Sequence, residues 1–332
     1  MARNLITDVA GLSVGLAEDT ALASGVTAIV FEAPAVAAVD VRGGGPGTRE
    51  TDLLDPAMTA DRIDAIALAG GSAFGLDAAA GVQAWLREQG RGFAVRSARI
   101  PLVPAAILFD LLNGGNKEWG RFPPYRELGY LAALSAGPDF ALGSVGAGLG
   151  ATSVNLKGGL GSASAVTERG HTVGALAAVN AAGSVVVADG PWFWAAPCER
   201  AGEFGGTGFP ARVPAEALAP RTKASAREST TLAVVATDAT LTKSQLKRLA
   251  VMAQTGLARA IYPVHTPLDG DVVFAASTGL GPAIDPLVGL AELGAEAANV
   301  LARAIARAVY EAVALPFPGA QPSWKDRFAA AR

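Results

Sequence analysis

The 332 residues, 51% hydrophobic and only 17% charged, are enough for one large or two ordinary domains with a sizeable core. A net charge of −3 leaves no electrostatic footprint for nucleic acid, which needs a clustered basic face, and the single Cys198 rules out an intrachain disulfide or a multi-cysteine metal site. Many apolar residues, few charges, 40 glycines and 20 prolines suit a turn-rich protein that buries surface by self-association.

The start, MARNLITDVAGLSVG, carries a basic residue but no hydrophobic signal region, because Asp8 and Gly11 interrupt it. A cytoplasmic location is the expectation. The β-branched runs VTAIVF (Val26 to Phe31) and AAVDVRGG (Ala37 to Gly44) predict strands, and Leu76 to Gly90 has apolar residues at helical spacing. Between them, DAIALAGGSAFGLDAAAGV predicts a buried strand, a Gly-rich turn and a helix whose first N–H groups are unpaired. The turn nearly spells a nucleophile elbow at Gly70-Gly71-Ser72-Ala73-Phe74, but its second glycine arrives one residue late at Gly75. His171 and His265 are the only histidines, and neither sits in a frame that would complete a serine triad.

Further along, FALGSV (Phe140 to Val145) predicts a strand, followed by the dinucleotide-like pattern Gly146-Ala-Gly148-Leu-Gly-Ala151. The TSVNLKGGLG that follows suits another turn rather than the helix a nucleotide needs, so these glycines read as close backbone packing. The longest uncharged run, Thr172 to Ala188, falls short of the about 20 apolar residues of a spanning helix. It predicts two strands around a turn at Asn180-Ala-Ala-Gly183, and no membrane association. Trp192 to Arg227 predicts an exposed connector of the functional or disordered kind. It ends at Ser229, Thr230 and Thr231, before the buried-strand run TLAVVATD. Two helices close the chain, Leu241 to Ile261 and Ala291 to Val313, the second with a cationic C-terminal half that suits its dipole. The class is therefore α/β in the broad, α+β sense.

Two features carry possible chemistry. Asp269 and Asp271, in LDGD near His265, point to one face if they begin a strand. Carboxylates that close are costly without a cation or donors facing them, so the pair is a surface turn or a functional site. With one histidine nearby, a metal is not favoured. Thr230 either starts a strand, as threonine often does, or becomes a nucleophile once the bond before it is cut, its freed α-amino group serving as base.

Taken together, the ordered blocks GVTAIVF, DVRGGGPGTRETDLLDP, AIALAGGSAFGLDAAAGV, VGAGLGAT, KGGLGSAS, AVNAAGSVV, TTLAVVATDATLTK and HTPLDGDVVFA resemble the DmpA-like self-processing peptidases of family S58. That family contains L-aminopeptidase/D-esterases, β-peptidyl aminopeptidases and nylon-oligomer hydrolases. The resemblance runs from about Asp8 to Val313. It implies an αββα four-layer sandwich like that of N-terminal-nucleophile hydrolases, and self-cleavage between Ser229 and Thr230 into a large subunit, 1–229, and a small one, 230–332. It makes Thr230 the nucleophile and Asn180 an oxyanion donor. Asp269 and Asp271 match the nylon-hydrolase branch, where the freed ammonium would lie between them, and Lys157 corresponds to a lysine near the nucleophile. No cofactor or metal is implied. The substrate would be a small peptide or amide, and the assembly a homo-oligomer, a tetramer in the usual case. Two positions depart from the pattern. Ser229 precedes the cut where Gly or Asn is usual, and Phe109 stands where an active-site tyrosine is expected. If Ser229 blocks cleavage, the chain would be an uncleaved binding relative using the Gly70 to Gly75 turn.

Overall fold

A computed structural model describes residues 2–223 and 229–328. Its strands are β1 (Leu12–Asp19), β2 (Ser24–Val41), β3 (Gly47–Arg49), β4 (Arg62–Ala69), β5 (Phe93–Val95), β6 (Ala98–Ile100), β7 (Ala105–Ile107), β8 (Gly159–Val166), β9 (Thr172–Asn180), β10 (Thr230–Thr237) and β11 (Val272–Ser277). The helices are α1 (Ala78–Glu88), α2 (Tyr125–Leu134), α3 (Lys243–Ala260), α4 (Val288–Tyr310) and α5 (Trp324–Phe328).

Strand alternation sorts the apolar residues into three stacked cores, and three cores between layers make four layers. On β10, Ala233 and Val235 face α3 and α4, together with Val173, Ala175 and Ala177 of β9. The alternate residues Leu232, Val234 and Ala236 face a second layer of strands and meet Ile29, Phe31, Ile66 and Leu68 there. On β2 and β4 the remaining set, including Val26, Ala28, Ala65 and Ala67, packs under α1 and α2. The order is thus α3/α4, β8 to β11, β1/β2/β4/β7, α1/α2, the expected αββα sandwich.

Strand β2 belongs to both sheet layers. Its first half pairs with β1 and β4, its register shifts between Val30 and Ala35, and its last residues, Val36 to Val41, pair with β11. The resulting ladder runs β3-β7-β4-β2-β11-β10-β9-β8. All eight residues of β10 are buried, as befits a central strand covered on both faces. It runs parallel to β11 and antiparallel to β9, with Thr230 opposite Asn180.

Three expectations change. Phe140 to Val145 forms no strand and makes only a bridge from Gly143 to Leu160, because Gly143 and the bends at Ser144 and Val145 leave nothing to extend a ladder. After Asn180, the apolar run makes isolated bridges at Ser184 and Val186 rather than a second strand, since Tyr262 and Phe193 compete for its backbone. The segment from Trp192 is not an exposed connector in its first half. Phe193 and Phe204 are buried in the α3/α4 core, and Glu203 accepts from Arg303 Nε at 2.5 Å and from Asn4 Nδ2 at 2.6 Å. The last part of the predicted connector, 224–228, lies outside the described residues.

Arg303 is 2% exposed, so its guanidinium depends on that one carboxylate plus the Ser164 and Asn4 oxygens. Removing one partner of a buried pair costs about 3–5 kcal/mol. Glu203→Ala is therefore expected to lower the thermal midpoint sharply in calorimetry, whereas Glu216→Ala on the exposed part of the same segment is expected to leave it nearly unchanged.

Candidate active site

The start of β10 is where the two halves of the strand layer bring their polar residues together. Ser229 makes a parallel bridge with Asp269, and its carbonyl accepts the Gly270 N–H at 2.9 Å. The Thr230 hydroxyl donates to the same Ser229 carbonyl at 2.5 Å. Both residues are buried. The chain thus presents a threonine Oγ immediately beside the carbonyl that precedes it.

Asp269 and Asp271 lie just before β11 and are 2% and 1% exposed, which excludes a surface turn. Asp271 Oδ1 accepts the Thr231 N–H at 2.7 Å, and Oδ2 accepts the His265 N–H at 3.1 Å and meets His265 Nδ1 at 2.8 Å. Asp269 Oδ1 accepts the Ala182 N–H at 3.0 Å, while Oδ2 accepts the Thr266 N–H at 3.0 Å and hydroxyl at 2.7 Å. Burial first, and then the Asp271 charge, push the Asp269 carboxyl above its ordinary range, against its bonds to Thr266 and Ala182. A cation placed between the two would relieve that cost.

Across the ladder, the Asn180 amide is gripped on both sides. Its Nδ2 donates to the Phe109 carbonyl at 3.0 Å, and its Oδ1 accepts the Thr152 N–H at 3.0 Å and Lys223 Nζ at 3.1 Å. Phe109, Thr152 and Lys223 also line a cavity of about 640 Å³, together with Asp110, Lys157 and Gln321. Phe109 contributes its main-chain carbonyl where a tyrosine hydroxyl was expected.

Lys157 is 1% exposed. Its Nζ donates to the carbonyls of Gly148 at 3.1 Å, Ala151 at 2.7 Å and Gly158 at 2.8 Å, so all three ammonium hydrogens are used on main-chain oxygens. Burial pushes this ammonium down to about 7; the Asp110 charge pulls it up and Lys223 pushes it further down. The unfolded chain then binds a proton that the fold releases between pH about 7 and about 10.5, so the penalty for burying Lys157 disappears as pH rises through that window. The expected result is that the thermal midpoint of Lys157→Met, relative to the unsubstituted protein, is higher at pH 6 than at pH 10. Equal differences at the two pH values would show that Lys157 does not titrate in this window.

Four of the five residues singled out in the sequence, Thr230, Asn180, Asp269 and Asp271, meet around one strand end, while Lys157 reaches them through the turn that ends at Thr152. Residues not anticipated are Thr266, Lys223, Gly270 and Asp110. Thr266 had a signal in TPLD, a threonine three residues before an aspartate in a turn; the others are brought in only by packing. The two rival sites are both occupied by the protein itself. Gly146–Gly148 forms a 3₁₀ turn with no helix after it, and the N–H groups of Gly71 and Ser72 bond Asp110 Oδ1 and the Leu108 carbonyl. Among the described residues no helix is long and apolar enough to cross a membrane, and no cluster of three or more His, Cys, Asp or Glu side chains is arranged for a metal.

Comparison with known proteins places the chain in a family. The model of peptidase family S58 matches residues 4–321. A Mycobacterium tuberculosis protein named as an uncharacterized aminopeptidase is 45% identical, covering 98% of each chain. A 6-aminohexanoate-oligomer endohydrolase of a Kocuria species is 29% identical over 82% of this chain and 74% of its own. The solved L-aminopeptidase D-Ala-esterase/amidase of Ochrobactrum anthropi, described as a variant of the Ntn-hydrolase fold, superposes with a TM-score of 0.70 at 22% identity, covering 98% and 91% of the two chains. The chain belongs to peptidase family S58 and is a hydrolase of amide bonds built on an αββα sandwich.

Proposed function

We propose that this hydrolase frees its own nucleophile by cutting the Ser229–Thr230 bond, and then uses Thr230 to cleave the amide bonds of small peptides or amides. The observation that carries this reading is the Thr230 hydroxyl at 2.5 Å from the Ser229 carbonyl oxygen, with the Gly270 N–H on that same oxygen. Attack by Oγ on the Ser229 carbonyl carbon breaks the C–N bond and passes the acyl group from nitrogen to oxygen. Water then hydrolyses the ester, leaving 1–229 and 230–332 with a new α-amino group on Thr230.

In turnover the same Oγ attacks the substrate carbonyl while the α-amino group takes its proton. Such an amine titrates near 8 when unperturbed, close to working pH. Asp269 and Asp271 flank the residue that bears it and would hold its ammonium form. Asn180 donates to the developing oxyanion, and Lys157 holds the turn whose Thr152 N–H fixes the amide.

The substrates fall in the aminopeptidase or nylon-oligomer-type amidase class. The same reading makes the enzyme a cytoplasmic homo-oligomer. Exposed Phe93, Val95 and Ile100 on the isolated β5–β6 ladder support self-association, and the lone cysteine suits a reducing compartment. N-terminal sequencing of purified protein tests the cut: a small fragment that begins Thr-Thr-Leu-Ala supports it, and a small fragment with any other start overturns it.

A further inference from the structure

One buried charge has no part in the chemistry described so far. Asp110 is 3% exposed, in a segment where only Phe109 drew notice in the sequence. Its Oδ1 accepts the Gly71 N–H at 2.7 Å and its Oδ2 accepts the Ser24 hydroxyl at 2.6 Å, with the Tyr125 hydroxyl donating to Ser24 Oγ at 3.1 Å behind. The main chain on either side is tied to the same turn: Leu108 N–H donates to the Ala69 carbonyl, and Ser72 N–H donates to the Leu108 carbonyl, each at 2.9 Å.

Both glycine motifs of the sequence turn out to make room for this carboxylate. A Cβ on Gly70 would lie 2.1 Å from Asp110 Oδ2, and one on Gly150 would lie 2.5 Å from it. Burial pushes the Asp110 carboxyl up, while Ser24, Lys117, Gly71 and Lys157 oppose that push. The Asp110 carboxylate thus faces the Lys117 ammonium and, more weakly, that of Lys157, whose own charge it favours against Lys223.

The two charges hold the two backbone segments that grip Asn180. Asp110 anchors residues 108–110, whose Phe109 carbonyl accepts the Asn180 Nδ2–H. Lys157 anchors residues 148–151, and the next N–H, that of Thr152, donates to Asn180 Oδ1. An oxyanion donor works only if its hydrogen is aimed before the reaction begins, and an amide free to swing about its last bond loses that advantage. We propose that Asp110 is a positioning residue: by anchoring residues 108–110, opposite the segment that Lys157 anchors, it fixes the orientation of the Asn180 amide and so sets the rate of the acyl-transfer step. This rests on the reading of Asn180 as the oxyanion donor.

The test is a double-mutant cycle on full-length protein taken first through self-cleavage, comparing the unsubstituted enzyme, Asp110→Asn, Asn180→Ala and the double variant on one chromogenic amide. Asp110→Asn is expected to lower kcat by about tenfold or more, short of the roughly 10²–10³ lost with an oxyanion donor outright, with KM little changed. In the Asn180→Ala background the same substitution is expected to change kcat less than about twofold, because its effect passes through the amide. Ser24→Ala, a milder loosening of the same carboxylate, repeats the cycle if Asp110→Asn does not fold. Losses that multiply in full would overturn the proposal, since a general loss of packing acts in either background. An unchanged kcat in Asp110→Asn overturns it too. If Asn180→Ala itself turns over at the unsubstituted rate, the oxyanion assignment falls first, a distinguishable failure.

Discussion

Thr230→Ala is expected to remain a single chain of 33.4 kDa, and the unsubstituted protein is expected to give fragments of about 23 and 10 kDa, in proportion to residues 1–229 and 230–332. The substitution removes the Oγ that lies beside the Ser229 carbonyl and little else. The Thr230 hydroxyl donates its bond to that same carbonyl, and the backbone pairing with Asn180 is untouched, so β10 keeps its start and the fold its stability. Loss of a nucleophile lowers turnover on the order of 10⁶-fold, which leaves activity at the background of the assay. Thr230→Ser retains the oxygen and is expected to split and to hydrolyse amides. Denaturing gels with intact mass decide the matter. One full-length band from the unsubstituted protein after long incubation would sink self-processing and make this chain a non-processing relative, with Ser229 before the cut as the first suspect.

Asn180→Ala is expected to lower kcat by about 10²–10³, roughly 2.7–4 kcal/mol of transition-state stabilisation, at nearly constant KM. A donor that meets the oxygen only once it becomes negative contributes to kcat alone. The variant carries a structural penalty as well. The Thr152 N–H and the Phe109 carbonyl both lose their partner, and an unsatisfied buried polar group costs about 1–3 kcal/mol, so the thermal midpoint should fall. Asn180→Asp separates the two effects: it keeps an acceptor for Thr152 and removes the NH₂ donor. Steady-state kinetics showing both variants at the unsubstituted kcat would remove Asn180 from the reaction.

Much of this was legible in one dimension because alternation and spacing are local properties. The run TTLAVVAT at Thr230–Thr237 has no charge, so it had to be a strand buried on both faces, and the ladder places it at the centre. Leu241 to Ile261 and Ala291 to Val313 kept their helical spacing and became α3 and α4. Periodicity misled where a segment's partner lay far away in the chain. Phe140 to Val145 has a strand's composition but no ladder to join, and the glycine-rich stretch after Trp192 packs because Arg303, a hundred residues on, demands a carboxylate.

The amino-acid order by itself determined which residues could do chemistry: a threonine at a strand mouth, two aspartates one residue apart, an asparagine at a turn and an isolated lysine. It also determined the class of fold, since strand and helix periods follow from side-chain geometry within a few residues. Only the tertiary structure decided that Thr230 faces Asn180, that both aspartates are buried against residues 229–231, and that the glycines near 70 and 150 cradle Asp110 rather than a nucleotide or an anion. Those outcomes depend on contacts between segments tens to hundreds of residues apart, whose distances no local pattern encodes.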